Sequence, residues 1–316
     1  MILKKHVYLL FFLAAFLLLM AACSNEESKK DSEETSNTNE TSEQKDIAFE
    51  PPNLEDLEGK DDPFSQSVKK GHELFQSTDG MLPENVGNKL SCASCHATGG
   101  LDDSGSLVGV TAVFPEYNPR AGKVLTIEDR INGCFVRSMN GKPLESGSEE
   151  LTAMVSYLTY ISKDVPTLAA ERPWIEKNKM EKLPEPNASN GEKLYQQSCI
   201  QCHGQNGEGT GATTGPALWG ENSFNIGAGM ARMKTAAGYI QRNMPKGAMG
   251  GINEGELTDQ QAADLAAYIL SHERPDFKGK EKDWPNGDAP DDAAYETTAK
   301  KTAPATSQNG EGGKKE

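Results

Sequence analysis

The sequence predicts an all-α protein built as two small tandem domains, with a flexible N-terminal tether and a loose C-terminal tail. Three observations carry this reading. A Gly-x-x-Leu-aromatic signature occurs twice, as Gly71, Leu74 and Phe75 and again as Gly191, Leu194 and Tyr195. Each copy is followed by a Cys-x-x-Cys-His motif. Each repeat then closes with apolar residues at i, i+3, i+4 and i+7: Leu151, Met154, Val155 and Leu158 in the first and Ala262, Leu265, Ala266 and Ile269 in the second, offset by 111 residues. That spacing puts four side chains on one face of a helix, and its recurrence marks a duplicated unit.

The elements follow in order. Lys4 and Lys5 precede an apolar run from Val7 to Met20, and Ala21-Ala22-Cys23 closes it with small residues, the layout of a secretory signal over 1–22. Its fourteen apolar residues are short of the roughly twenty that span a bilayer. Leu19-Met20-Ala21-Ala22-Cys23 resembles a bacterial lipobox, which implies a lipid on Cys23 and a protein anchored at the outer face of the cytoplasmic membrane. Residues 23–50 are rich in Ser, Asn, Thr, Glu and Lys and bury too little to offset their ordering entropy, so they read as a tether. The first domain spans 51–163, with Ser148 placed to cap its last helix. Prolines at Pro166, Pro173, Pro184 and Pro186 make 164–189 an extended connector, which Trp174 is expected to pin against a domain. The second domain spans 190–275, and Thr258 with Gln261 forms a capping box for its last helix. Residues 276–316 show no helical period and read as a disordered or loosely attached tail without functional residues.

Six cysteines define the chemistry, and four lie in Cys92-Ala-Ser-Cys95-His96 and Cys199-Ile-Gln-Cys202-His203. This spacing attaches c-type haem: two thiols form thioethers to the porphyrin vinyl groups, and the adjacent histidine reaches the iron from the same side. Two covalently attached haem c groups are therefore expected, with His96 and His203 as axial iron ligands. A zinc half-site or a redox dithiol explains one such motif, but two copies on an exported chain favour haem. With Cys23 acylated, Cys134 has no free thiol to pair with.

What fills the sixth iron position decides whether a haem only passes electrons or supports chemistry. In the second domain the candidate is Met244, in Arg242-Asn243-Met244-Pro245, with Met230, Met233 and Met249 as alternatives. Asn243 beside it offers no ready competing ligand, so simple His/Met ligation is expected. In the first domain the candidates are Cys134 and Met139. The offset between the terminal helices projects Met244 onto Gly133, next to Cys134, whereas the offset between the haem motifs projects it onto Arg137, between the two. Spacing favours Cys134 and leaves Met139 open. His72 and His272 fall on helices away from either distal position and are expected to be packed or solvated side chains.

The order of glycine-aromatic helix, haem motif, loop and terminal helix resembles the class I cytochrome c fold, in which first and last helices cross at the glycine. The stretch from Arg130 to Pro143, with Gly133-Cys134-Phe135 and Ser138-Met139 at its centre, together with Phe114-Pro115-Glu116-Tyr117-Asn118-Pro119-Arg120, resembles the thiosulfate dehydrogenase family of dihaem cytochromes c, related to SoxA-type sulfur-oxidising cytochromes. The resemblance implies that Cys134 is the axial thiolate of the first haem and sits at the active centre. It also implies that Arg130 and Ser138 lie near the substrate and that the second haem relays electrons through His203 and Met244. The activity implied is oxidation of thiosulfate to tetrathionate, a reaction the same site can run in reverse, with a small cytochrome c or a membrane oxidase as electron acceptor.

Charge tests this independently. The chain carries −15 overall, which repels a dianion and argues against nucleic-acid binding, yet the stretch from Asn118 to Lys142 carries +3. Arg137, Lys142 and Arg120 therefore join Arg130 as candidate anion-holding residues, with haem propionates as the competing anions. A thiolate ligand lowers an iron potential, so electrons are expected to leave toward the His/Met haem, with a sulfur–sulfur adduct formed transiently on Cys134. The rival reading is a non-catalytic dihaem electron carrier, for which a thioether such as Met139 in the first domain would suffice.

Overall fold

The computed structural model describes residues 49–169 and 171–299. The signal, the lipidation position Cys23 and nearly all of the tether lie outside the described residues, and no described helix is long and apolar enough to cross a membrane. Six helices of three turns or more organise the chain: α1 (Pro63–Gln76), α2 (Ile127–Arg137) and α3 (Glu149–Tyr160), then α4 (Ala188–Ser198), α5 (Met233–Asn243) and α6 (Asp259–Ser271). The two haem motifs sit on short turns, Cys92–Ser94 and Ile200–His203.

Helix α1 starts where Asp62 caps it, accepting from the Ser65 backbone N–H at 3.0 Å, with Pro63 in the first turn. Its buried Val68, Leu74 and Phe75 pack with Leu151, Met154, Tyr157 and Leu158 of α3 in one core. The helices meet at Gly71, where an added Cβ would strike the Ala153 carbonyl and come within 2.7 Å of Tyr157 Cβ. The second domain repeats the device. An added Cβ on Gly191 of α4 would strike the Asp264 carbonyl of α6 and approach Tyr268 Cβ to 2.9 Å. The expected crossing of first and last helices at the glycine is thus present in both repeats. Ser148 caps α3 by accepting from the Leu151 N–H at 3.3 Å, and Thr258 and Gln261 form the expected capping box.

The all-α reading has one small exception, an antiparallel hairpin of β1 (Glu116–Asn118) and β2 (Lys123–Leu125) that pairs Tyr117 with Val124. Its turn, closed by the Gly122 N–H donating to the Asn118 carbonyl at 2.9 Å, delivers the chain into α2. Helix α2 begins with a capping box in which Thr126 and Asp129 satisfy each other's backbone N–H groups.

Two of the expected boundaries are modified. Phe49, within the expected tether, packs its ring against Trp174 at 5.2 Å, and Trp174 donates to the Val108 carbonyl, so this tryptophan pins the connector to the first domain. The segment from 276 to 299, expected to be loose, is packed instead. Asp283, Trp284 and Thr297 are buried, the Trp284 N–H donates to the Arg120 carbonyl at 2.8 Å, and Tyr295 donates to Asp283 at 2.6 Å. Its apolar residues are too scattered to show a period yet close enough to dock. Any loose tail falls on 300–316, outside the described residues.

Candidate haem centres and active site

In the second domain the motif residues open onto a deep apolar cavity walled by Leu194, Leu218, Tyr239, Ile240, Leu257 and Leu265, and Cys199, Cys202, His203 and Met244 all line it. The side-chain ring of His203 is oriented by its Nδ1 lying 2.8 Å from the Pro216 carbonyl. A carbonyl only accepts, so Nδ1 carries the proton and Nε2 keeps a free lone pair, the form that binds iron. Burial also pulls the His203 pKa below its usual value, favouring the neutral ring. These residues fit a haem tethered through two sulfurs. Burial pushes Cys199 up to about 12, an environment that suits an uncharged thioether better than a thiolate.

The first motif is built the same way. His96 Nδ1 lies 2.5 Å from the Gly105 carbonyl, and burial pulls the ring down to about 4. Cys92 and Cys95 are pushed up to about 12 and about 11 by burial, and the charge of Cys134 acts on both. Cys134 is thus within electrostatic range of both attachment sulfurs. Met139, the competing candidate, is buried in the first domain's core beside Phe135 and Leu144. Among the described residues no group of three or more His, Cys, Asp or Glu side chains is arranged to hold a metal ion.

Helix α2 sets the site's geometry. Arg130, Cys134 and Ser138 recur every fourth residue and so share one face. The Arg130 guanidinium donates to Cys134 Sγ at 2.8 Å, and the sulfur's charge lifts the Arg130 pKa above its already high value. Ser138 is the C-cap residue, its carbonyl accepting from Asn88 at 2.9 Å.

The other basic residues lie elsewhere. Arg137 was expected near the substrate, but its guanidinium makes two bonds to Asp283, at 2.7 and 2.8 Å, and covers the Phe277 ring at 4.2 Å. Although it lies three residues after Cys134 on the same side of α2, its guanidinium is drawn to Asp283 of the docked C-terminal segment. Arg120 donates to the Gly227 carbonyl at 2.6 Å and stacks over Trp284 at 4.6 Å. Lys142 is exposed on the loop after α2. Sequence reasoning missed Arg172 of the connector, whose charge acts on both His96 and Arg130. Its Nη1 donates to the Val108 carbonyl at 3.1 Å, beside the loop that holds His96. The only signal was its place two residues before Trp174.

The two centres share a wall. Leu90, Ser94 and Cys95 of the first domain line the second domain's cavity, Tyr239 donates to the Cys95 carbonyl at 3.2 Å, and Ser94 donates to the Ala212 carbonyl at 2.7 Å. Met230 and Met249 line the same cavity as Met244, whereas Met233 packs with the core. His72 packs its ring against Tyr157 and His272 stacks flat on Trp219 at 4.0 Å, both as packed side chains.

Comparison with known proteins gives two family matches in tandem. Residues 70–167 match the SoxA/TsdA cytochrome c domain and residues 188–273 match cytochrome c. A thiosulfate dehydrogenase from Psychrobacter arcticus is 44% identical over 238 residues, covering 73% of this chain and 71% of the relative. A thiosulfate dehydrogenase from Allochromatium vinosum is 38% identical over 238 residues, covering 69% and 82%. The solved structure of thiosulfate dehydrogenase from Marichromatium purpuratum superposes with a TM-score of 0.67 at 33% identity, over 74% of this chain and 52% of that one, so the chain spans about half of that longer protein.

Proposed function

Because the chain belongs to the thiosulfate dehydrogenase family and carries two covalently bound haem c groups, we propose that it oxidises thiosulfate, joining two dianions through a new sulfur–sulfur bond to give one tetrathionate and two electrons. The haems, when bound, supply two one-electron acceptors, which matches the two electrons released. His96 and Cys134 hold the first iron in this reading, and His203 and Met244 hold the second.

The protein's own residues answer the main obstacle, which is bringing two dianions together. Arg130 offers a fixed fork of donors that binds oxyanions and offsets their mutual repulsion. Ser138, one turn beyond Cys134, offers a hydroxyl donor on the same face. Cys134 presents sulfur where substrate sulfur must arrive, and Arg172 adds a second positive charge near that point. The Ser94, Cys95 and Tyr239 contacts bring the two haem motifs together, which suits direct relay from the first centre to the second. Electrons then leave to a respiratory acceptor, a small cytochrome c or a membrane oxidase. A lipid on Cys23 would keep the enzyme at the outer face of the cytoplasmic membrane.

The observation that carries this reading is the Arg130 guanidinium 2.8 Å from Cys134 Sγ on a face that also holds Ser138. The test is a ferricyanide-coupled thiosulfate assay on the wild type and on Cys134→Gly, with haem content and electron paramagnetic resonance measured on both. Turnover should be lost in the variant with both haems retained, together with the thiolate-ligated low-spin signal. A fully active variant would overturn the assignment.

A further inference from the structure

The connector makes two sets of specific contacts, each to residues that neighbour a candidate haem ligand. At its start Arg172 and Trp174 donate to the carbonyls of the loop whose Gly105 oxygen orients His96. Further on, Glu176 accepts from Arg242 Nε at 2.6 Å and the Lys177 carbonyl accepts from the same guanidinium. Asn178 Oδ1 accepts from Asn243 Nδ2 at 3.0 Å, and the Met180 N–H donates to the Lys234 carbonyl at 2.9 Å. The connector backbone lies directly on α5, since an added Cβ on Gly238 would come within 2.6 Å of the Lys179 nitrogen.

Arg242 and Asn243 are the two residues before Met244. Asn243 is 4% exposed, and its amide donates to Asn178 and, at 2.9 Å, to the Tyr239 carbonyl, so its side chain has one orientation that satisfies both acceptors. The exposed Glu176 pair adds little energy by itself. The amide pair, half-buried on the Asn178 side and buried on the Asn243 side, is the contact with directional force.

We infer that the connector is a brace and that Asn178 is a positioning residue for Met244, holding the end of α5 through Asn243 so that the methionine sulfur faces His203 across the cavity. This rests on the reading of Met244 as the second iron's ligand. Asn178 touches neither cofactor nor substrate and acts only through its neighbour.

The test is a redox titration with electron paramagnetic resonance on the full-length dihaem protein, comparing wild type with Met244→Ala, Asn178→Ala, Asn178→Asp and Asn243→Ala. Met244→Ala checks the underlying reading by itself: an unchanged second-haem signal in that variant refutes the ligand assignment. Given that the signal changes there, Asn178→Ala should lower the potential of the second haem and deplete its His/Met signal while leaving the first haem's signal in place, since thioether ligation favours a high potential. Asn178→Asp keeps an acceptor oxygen and should restore the His/Met signal. The double variant Asn178→Ala with Asn243→Ala should be no worse than either single one. A His/Met signal undiminished in Asn178→Ala overturns the inference. If that variant fails to fold, the carboxylate variant decides, because loss of the His/Met signal in folded Asn178→Asp overturns it equally.

Discussion

Arg130 and Cys134 form the closest charged contact of the candidate site, a guanidinium against sulfur at 2.8 Å. A hydrogen bond to a charged group contributes about 1.5–3 kcal/mol, so Arg130→Gln should lower kcat/KM for thiosulfate by about 10- to 100-fold. Steady-state kinetics checks this, and Arg137→Gln provides the contrast, since that residue faces Asp283 and should leave KM for thiosulfate unchanged in protein that remains folded. His72 gives a second prediction at this scale. Gln76 Nε2 lies 3.2 Å from His72 Nε2, a contact that needs the neutral ring, and burial pulls the His72 pKa below its usual value. The unfolded chain therefore takes up this proton first as pH falls. Stability contributed by the neutral ring is complete above the ordinary histidine pKa of about 6.5 and is lost as pH drops through the lower folded value. Denaturant midpoints from pH 7.5 to 5 should fall less steeply for His72→Asn than for the wild type.

The helices show what was legible in the sequence and what was not. Both terminal helices and both glycine crossings were legible, because a period of 3.6 and a required glycine leave marks in sequence. Helix α2 was not, although Thr126 and Asp129 mark its start. Arg137 falls two turns from Arg130 on the same side of α2, so local spacing groups the two; Asp283, 146 residues away in sequence, takes the Arg137 guanidinium instead. The two crossings carry a further prediction. Gly71→Ala or Gly191→Ala forces a Cβ into the facing helix's backbone, and overpacking of this kind costs about 1–3 kcal/mol. Each substitution should lower Tm by about 2–4 °C per kcal/mol, measured by calorimetry on the haem-loaded protein.

At the scale of the whole molecule, contacts distant in sequence decide the arrangement. Asp283 is 8% exposed and takes both guanidinium nitrogens of Arg137, while Tyr295 donates to it from the other side. Removing one partner of a buried ion pair strands the other, at a cost of about 3–5 kcal/mol. Asp283→Ala should show this loss in denaturant unfolding, and Asp283→Ala with Arg137→Met should recover part of it. This docking was invisible in the sequence because it depends on single residues, Asp283, Trp284, Tyr295 and Thr297, with no repeat between them. Domain duplication and haem attachment were visible because each needs a fixed local spacing.

The docked segment from 276 to 299 also imposes an order on assembly. Synthesis runs from the N-terminus, so both Cys-x-x-Cys-His motifs and the whole of α2 are made before Asp283 exists to meet Arg137. Haem attachment calls on the two motifs alone, whereas the helix that carries Cys134 gains its clasp only when residues 276–299 dock. A protease that clipped the chain near Pro275 and released the segment would remove that clasp while leaving both haem motifs in place.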